Sequence, residues 1–373
     1  MAEFPGMNRV AALGMNNVSR KQLHEFRVLG ERGYQFDIFT TDQCGDSLEN
    51  AATLGDAAQC RRLPPGALAR FLHVARYLWG HRRELAHAQI YPGGRYAFVY
   101  TLLCKLFGVK TVTVEWGNFI DWDRHPVLLR FSLWFCHRHA DGVWYKEPYM
   151  ERWLRRCGAR RLFFIHNALP PGSQARDSLD EKPVDFLWVN RLIPQRRSDW
   201  FFDVLGEPDF ARTRNLLIGV QSGAVDAAVR EVQDKTLAAR PANTDVLGFI
   251  NPADHYARAK FFVLPATVVF CNNALLEAMA AGVVPIVSAA EGTGWVVEDG
   301  VNGFVVEHSR AGLAAGMRRA RALPPEAYAR MSRAAARTVA EKFNTDQWRD
   351  KILRMYEAVR AGKSDGEAAH GGS

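Results

Sequence analysis

Short apolar runs rich in β-branched and aromatic residues alternate along this chain with longer stretches in which apolar residues return every three to four positions. That is the pattern of strands and amphipathic helices in turn. Runs at 8–13, 35–40, 88–91, 111–115 and 142–145 are expected as strands, and periodic stretches at 21–32, 67–86, 96–106, 127–139 and 148–157 as helices. Residues 42–65 hold no such period and are expected as loop. Strands are expected again at 185–190, 215–220, 244–248, 261–265 and 283–287, with helices at 253–259 and 274–281 and a final helix at 345–361. Strand, helix and strand in regular succession make parallel sheets with right-handed crossovers, an α/β architecture. The stretch 162–169 closes the first half, and Pro170-Pro-Gly with mixed charge up to Pro183 is the best domain boundary. The expected division is therefore 1–168, a linker 169–183, 184–344, the helix 345–361, and a small, polar, disordered tail 362–373.

In such sheets ligands collect beyond the C-terminal ends of the strands, which directs attention to the loops there. Ahead of the helix at 274–281, Asn272 or Asn273 is a suitable N-cap, and the N–H groups of Ala274, Leu275 and Leu276 then point at an anion. Glu277, one turn in, is too negative for a phosphate partner, but its carboxylate can accept two sugar hydroxyls; the plain alternative is an acid stabilising the helix dipole. A diphosphate beside a ribose fits both groups. Arg191 and Arg196 follow the strand at 185–190, where bidentate guanidinium groups suit phosphate, and Arg197 leaves the register open by one. The strand at 111–115 ends in Glu115-Trp-Gly-Asn118 and then Asp121-Trp-Asp123, a polar cluster where such a sheet places chemistry, or satisfied loop acids.

Residues 272–282, Asn-Asn-Ala-Leu-Leu-Glu-Ala-Met-Ala-Ala-Gly, precede Val-Pro-Ile-Val-Ser and then Glu-Asp-Gly-Val-Asn-Gly-Phe-Val-Val. This series resembles the donor-site signature of retaining glycosyltransferases of family 4 (glycosyl transferases group 1), clearly over 185–306 and loosely before. The resemblance implies two Rossmann-like domains facing each other across a cleft, the GT-B type, with the C-terminal helix crossing back to the N-terminal domain. It implies transfer of a sugar from a UDP- or GDP-sugar, with retention, to a glycan or polyprenyl-diphosphate-linked acceptor in surface polysaccharide or lipopolysaccharide assembly. By the same resemblance Arg191 and Arg196 stabilise the departing diphosphate without a metal, no cofactor is required, and Asn272, Asn273, Ala274, Leu275 and Glu277 hold the donor. Asn16 and Asn17 fall where family members often carry Gly-Gly.

The chain departs from the pattern at four further places. Arg196 replaces a Lys, and Val269 stands at the first Glu of Glu-x7-Glu. Glu291-Gly-Thr-Gly-Trp295 replaces Gly-Gly-x-x-Glu, and Glu115 stands where many members have a His. An acid there can serve as a base or orient an acceptor hydroxyl, with Asp121 or Asp123 as substitutes; the latter pair also fits the Asp-x-Asp of metal-dependent GT-A enzymes, for which nothing else speaks. Val269 leaves open a non-catalytic binding or scaffold protein, and the fold leaves open a sugar-nucleotide epimerase.

The net charge of +8 is concentrated: residues 1–170 hold 23 Lys and Arg against 15 Asp and Glu, and the remainder is balanced. Such a field favours an anionic acceptor or a headgroup layer; nucleic acid is not expected, because no recognition motif accompanies the charge. Residues 126–156 interleave aromatics with basic residues, expected as helix core with a basic surface, the alternative being an interfacial membrane face. Six cysteines without a Cys-x-x-Cys pair suit a reducing cytosol. No signal sequence or apolar run of membrane-spanning length occurs, so a cytoplasmic protein is expected, soluble or peripheral at the inner leaflet.

Overall fold

A computed structural model describes residues 8–16, 18, 20–41, 53–117, 122–169, 182–222, 227–269 and 272–362. The chain divides into two compact units, residues 1–166 with 346–373, and residues 167–345. In chain order the first holds β1 (Arg9–Met15), α1 (Arg20–Gly30), β2 (Gln35–Thr40), β3 (Ala58–Arg62), α2 (Ala67–His81), β4 (Leu85–Ile90), α3 (Ala97–Leu106), β5 (Thr111–Glu115), α4 (Val127–His139), β6 (Gly142–Tyr145), α5 (Met150–Arg156) and β7 (Leu162–Phe164). The second holds β8 (Val184–Val189), α6 (Ser198–Leu205), β9 (Asn215–Val220), α7 (Ala227–Ala238), β10 (Thr244–Gly248), α8 (Ala253–Tyr256), β11 (Ala259–Leu264), α9 (Asn273–Ala280), β12 (Val284–Ser288), β13 (Phe304–Val306), α10 (Arg310–Arg321) and α11 (Pro325–Lys342). Helix α12 (Thr345–Ala361) returns to the first unit.

Each unit is built on one parallel sheet, seven strands in the order β3-β2-β1-β4-β5-β6-β7 and six in the order β10-β9-β8-β11-β12-β13. Strands β4, β5, β6 and β12 are buried along their whole length, as strands covered by helices on both faces must be. In both sheets the order reverses beside the first strand, between β1 and β4 and between β8 and β11. A crevice for a ligand opens at that reversal in doubly wound sheets. Two glycines let the backbone pass closely, Gly14 at the β1–β4 reversal and Gly219 where β9 runs beside the end of β8. A Cβ on Gly14, at φ +83°, would lie 2.4 Å from the Tyr91 carbonyl oxygen, and one on Gly219, at φ +136°, 1.6 Å from that of Asn190.

Helix α12 joins the first unit through Trp348, Ile352, Met355, Tyr356 and Val359, all buried. His24 of α1 stacks on Trp348 with centroids 5.4 Å apart, the Tyr356 hydroxyl donates to Gln89 Oε1 at 2.6 Å, and Arg161 donates to the Ala358 carbonyl at 2.6 Å.

Three expectations are corrected. Residues 58–62, expected as loop, form the edge strand β3. The helix expected at 67–86 ends at His81, where Glu84 N–H donates to the His81 carbonyl at 2.8 Å, and Leu85 already begins β4. The helix expected at 253–259 is one turn, because Ala259 is the first residue of β11. The expected tail beyond Gly362 and most of the expected linker, 170–181, lie outside the described residues.

Candidate functional site

The β8–β11 edge of the second unit gathers most of the expected donor residues. After β8 the chain runs through Arg191 into a short turn, Pro194–Arg196, and Arg197 then takes a left-handed conformation at φ 50°. That reversal separates the two arginines left open by the sequence. Arg197 is held by Asp199 at 2.7 Å and lies 4.1 Å over the Trp200 ring, whereas Arg196 Nη1 donates to the Val268 carbonyl, just past the end of β11, at 3.0 Å. Thr267 N–H donates to the Gln195 carbonyl at 3.0 Å, so the two loops are joined by backbone as well.

Arg196 has no carboxylate partner among the described residues, and its Nε is buried without an acceptor. Burial pushes its pKa down to about 10, and the charge of Arg191 pushes in the same direction. Arg191 is exposed on the same loop, so one solvated and one half-buried guanidinium stand here where the oxygens of an anion could bridge them.

Beyond β11, α9 supplies further donors. Asn272 is the N-cap, its side chain accepting from Leu275 N–H at 3.2 Å, while Asn273 Oδ1 accepts from Asn167 Nδ2 at 3.2 Å. Leu275 and Leu276 N–H are therefore used within the helix, and Leu275 is fully buried, which corrects the expectation of Leu275 as a donor contact. The N–H groups of Asn273 and Ala274, first in the helix, have no carbonyl within it to reach. Glu277 Oε2 accepts the Tyr256 hydroxyl at 2.9 Å, which fixes the carboxylate on the partly exposed side of the helix. Tyr256 comes from α8, and no sequence spacing announces that pairing.

Val269 is wholly buried in the core that contains Leu275, Leu276 and Met279, and its N–H donates to the Glu291 carbonyl at 3.0 Å. The position is thus a core residue in this chain, and it presents nothing to a sugar. The Glu298–Val306 stretch is braced locally: Asn302 Oδ1 accepts Glu298 N–H at 2.7 Å, and Asn302 Nδ2 reaches the Val296 carbonyl at 3.0 Å and Thr338 at 2.9 Å.

In the first unit, Asn16 is exposed after β1, with its carbonyl accepting the Thr40 hydroxyl at 2.9 Å; Asn17 and Asp121 lie outside the described residues. Asp123 is exposed in the short turn Trp122–Arg124. Glu115 is corrected as a base: it is fully buried, with one oxygen accepting Gly117 N–H at 2.7 Å and the other 2.9 Å from His137 Nε2. It braces the loop after β5 from inside.

The β1–β4 edge also holds a buried polar cluster that the sequence reading missed. Glu25 of α1, Gln89 and Tyr91 meet through contacts of 2.5, 2.6 and 3.2 Å, and burial raises the Glu25 carboxyl while the charge of Lys146 opposes it. Lys146 lies over the Trp116 and Trp144 rings at 4.9 and 4.6 Å. The available signal was the position of Glu25 on the same helical stripe as Gln22, Phe26 and Leu29, an acid among buried positions.

Residues 183–322 match the family described as glycosyl transferases group 1. D-inositol 3-phosphate glycosyltransferase of Geodermatophilus obscurus is 28% identical over 200 residues, which is 50% of this chain and 43% of that protein, so the chain spans less than half the length of this curated relative. Among solved structures, sucrose-phosphate synthase from Thermosynechococcus elongatus superposes with a TM-score of 0.80 at 16% identity, covering 95% of this chain and all of that one. Anabaena HepE, solved in complex with UDP and glucose, gives 0.76 at 15% identity over 94% of this chain and 100% of its own. The chain therefore resembles group 1 glycosyltransferases of family 4, and its two Rossmann-like units are those of the GT-B fold.

Proposed function

We propose that this chain is a glycosyltransferase that binds a nucleotide-diphosphate sugar at the β8–β11 edge and moves the sugar to a glycan or lipid-linked acceptor. The observation that carries this reading is Arg196, half-buried, tied to the Val268 carbonyl and without a carboxylate among the described residues, with Arg191 exposed on the same loop and the capped N-terminus of α9 following β11. Breaking the bond between sugar and diphosphate leaves negative charge on the departing group. Two guanidinium groups and the N–H donors of Asn273 and Ala274 stabilise that charge, and they do so most strongly as it develops. The chain thereby supplies the positive charge itself, and neither metal nor cofactor is required. Glu277, held by Tyr256, accepts the ribose hydroxyls.

The names of the relatives, one solved with UDP, support a uridine nucleotide as the first donor to test. Retention of configuration and an anionic, polyprenyl-diphosphate-linked acceptor in surface glycan assembly belong to the same proposal, the latter suiting the positive charge of residues 1–170. Asn16 and Asp123, both exposed in the first unit, are proposed on the acceptor side, and Glu115 as a positioning residue. A second reading, a nucleotide-binding protein without transfer activity, is favoured by Val269 alone.

Calorimetric titration with UDP, GDP and ADP, followed by a transfer assay with the matching sugar nucleotides, tests both. Binding of one nucleotide that weakens in Arg196→Ala supports the donor site. Binding without turnover on any acceptor supports the second reading, and no binding in folded protein removes both.

A further inference from the structure

Ten of the large apolar side chains left exposed in the described structure lie on three neighbouring helices of the first unit or immediately before them. They are Leu68, Leu72 and Trp79 on α2, Tyr96, Leu102 and Leu106 at α3, and Val127, Leu128, Phe131 and Trp134 on α4. Leu68, Leu106 and Val127 are 72%, 68% and 73% exposed. Ring contacts make the face continuous: Phe71 meets Tyr96 at 6.2 Å and Trp79 meets Phe107 at 5.5 Å between α2 and α3, and Phe98 meets Phe131 at 5.3 Å between α3 and α4. An apolar surface of this extent is unusual on a protein that meets only water.

The charge on the same helices is of one sign. Helices α2, α3 and α4 contain no Asp or Glu, and they carry Arg70, Arg76, Lys105, Arg130 and Arg138. Where α3 and α4 end, a cavity of about 360 Å³ is lined by Lys105, Lys110, Arg138, Arg160 and Arg161, with Asp141 the one carboxylate in its wall. Asp141 pairs with Lys105 at 2.7 Å and Lys110 at 3.4 Å; Arg160 is exposed. The Arg82 guanidinium lies 3.9 Å over Trp79, keeping a cation at the margin of the apolar face.

We propose that the outer face of α2, α3 and α4 docks on an anionic lipid bilayer. The apolar side chains enter the boundary between headgroups and acyl chains, and the cations around the cavity meet lipid phosphates. No described helix is long and apolar enough to cross a membrane, so this is contact with one leaflet. A second copy of the chain is a poorer occupant, because a symmetric pairing would bring two acid-free, basic faces together. The inference stands apart from the donor-site reading: it uses other residues, and the test below needs no nucleotide.

The test is flotation of the full chain with vesicles of phosphatidylcholine alone and of phosphatidylcholine with phosphatidylglycerol, at low and high salt. The proposal predicts flotation with the anionic vesicles that weakens as salt rises. The combined variant Leu68→Ser, Leu72→Ser, Leu106→Ser and Val127→Ser should lower partitioning by about tenfold or more at an unchanged melting temperature. A second variant, Lys110→Glu with Arg160→Glu, should abolish the preference for anionic lipid, and it keeps the test decisive if the first variant folds poorly. No flotation, equal flotation with neutral vesicles, or wild-type behaviour of both variants overturns the proposal. So does a concentration-dependent dimer, lost in the serine variant, with no vesicle binding, which would assign the face to a second copy.

Discussion

Arg196 is a half-buried cation with one hydrogen bond, to the Val268 carbonyl, and no carboxylate among the described residues. Losing that bond costs about 1 kcal/mol, and removing a partly dehydrated charge offsets it, so Arg196→Ala should melt close to wild type. The same change should weaken nucleotide binding by about 1.5–3 kcal/mol, the worth of hydrogen bonds to charged groups, as read by calorimetry. Arg196→Lys should fall between, because an ammonium keeps the charge and loses the fork. A second residue-scale prediction concerns acid. His87 is fully buried, without a hydrogen-bond partner among the described residues, and 4.2 Å from the Tyr356 ring; burial pushes its pKa down to about 3 from 6.5, and that of His24 down to about 4. The unfolded chain therefore binds more protons below about pH 6.5, and stability present above that value is lost as pH falls toward 3. In melting curves across that range, His87→Phe should flatten the slope, leaving the parts due to His24 and to the carboxyls of Asp37, Asp141 and Glu151, which the fold also holds below their ordinary values; an unchanged slope would mean that these other groups control the acid loss.

Helix α9 is eight residues long, so its cap and its neighbours matter more than its own propensity. Asn272→Ala should cost about 1 kcal/mol in urea unfolding of the second unit and also weaken nucleotide binding, since the cap aims the Asn273 and Ala274 donors. In α10, a Cβ on Gly316 would lie 2.2 Å from Val306 Cγ1, so Gly316→Ala should destabilise by about 1–3 kcal/mol through overpacking, without touching the nucleotide site. At this scale much was legible. Thr111–Glu115, Gly142–Tyr145, Asn215–Val220 and Thr244–Gly248 were set by apolar runs alone, and Val127–His139 and Thr345–Ala361 by helical period. Ala58–Arg62 was not, because an edge strand with little buried surface has no hydrophobic pattern to show and exists by pairing with β2. Ala67–His81 overran for the opposite reason, since Arg82-Arg83-Glu84 suits a helix as well as a turn.

Across the molecule, the second unit was more legible than the first. The β8–β11 reversal places loops that are 72 residues apart against each other, as Arg196 and Val268 show, and their motifs survive in the sequence because backbone geometry fixes them. What was hidden were side-chain pairings made only by folding: His137 with Glu115, Tyr256 with Glu277, and the burial of Val269. The return of α12 is a whole-chain commitment, because Trp348 and Tyr356 complete the core around His24, Tyr34 and His87. Removing residues 346–373 should leave the first unit without a cooperative melt while the second unit still unfolds cooperatively, as calorimetry would report; two intact transitions would refute that dependence. The most direct test of the central claim is titration of the full chain with UDP, GDP and ADP beside Arg196→Ala at the same pH and salt. The account predicts saturable binding of one nucleotide that the variant loses by tenfold or more, on the order of 1.4 kcal/mol per decade, with its melting temperature retained. Equal binding by both proteins, or none by the folded wild type, would contradict it.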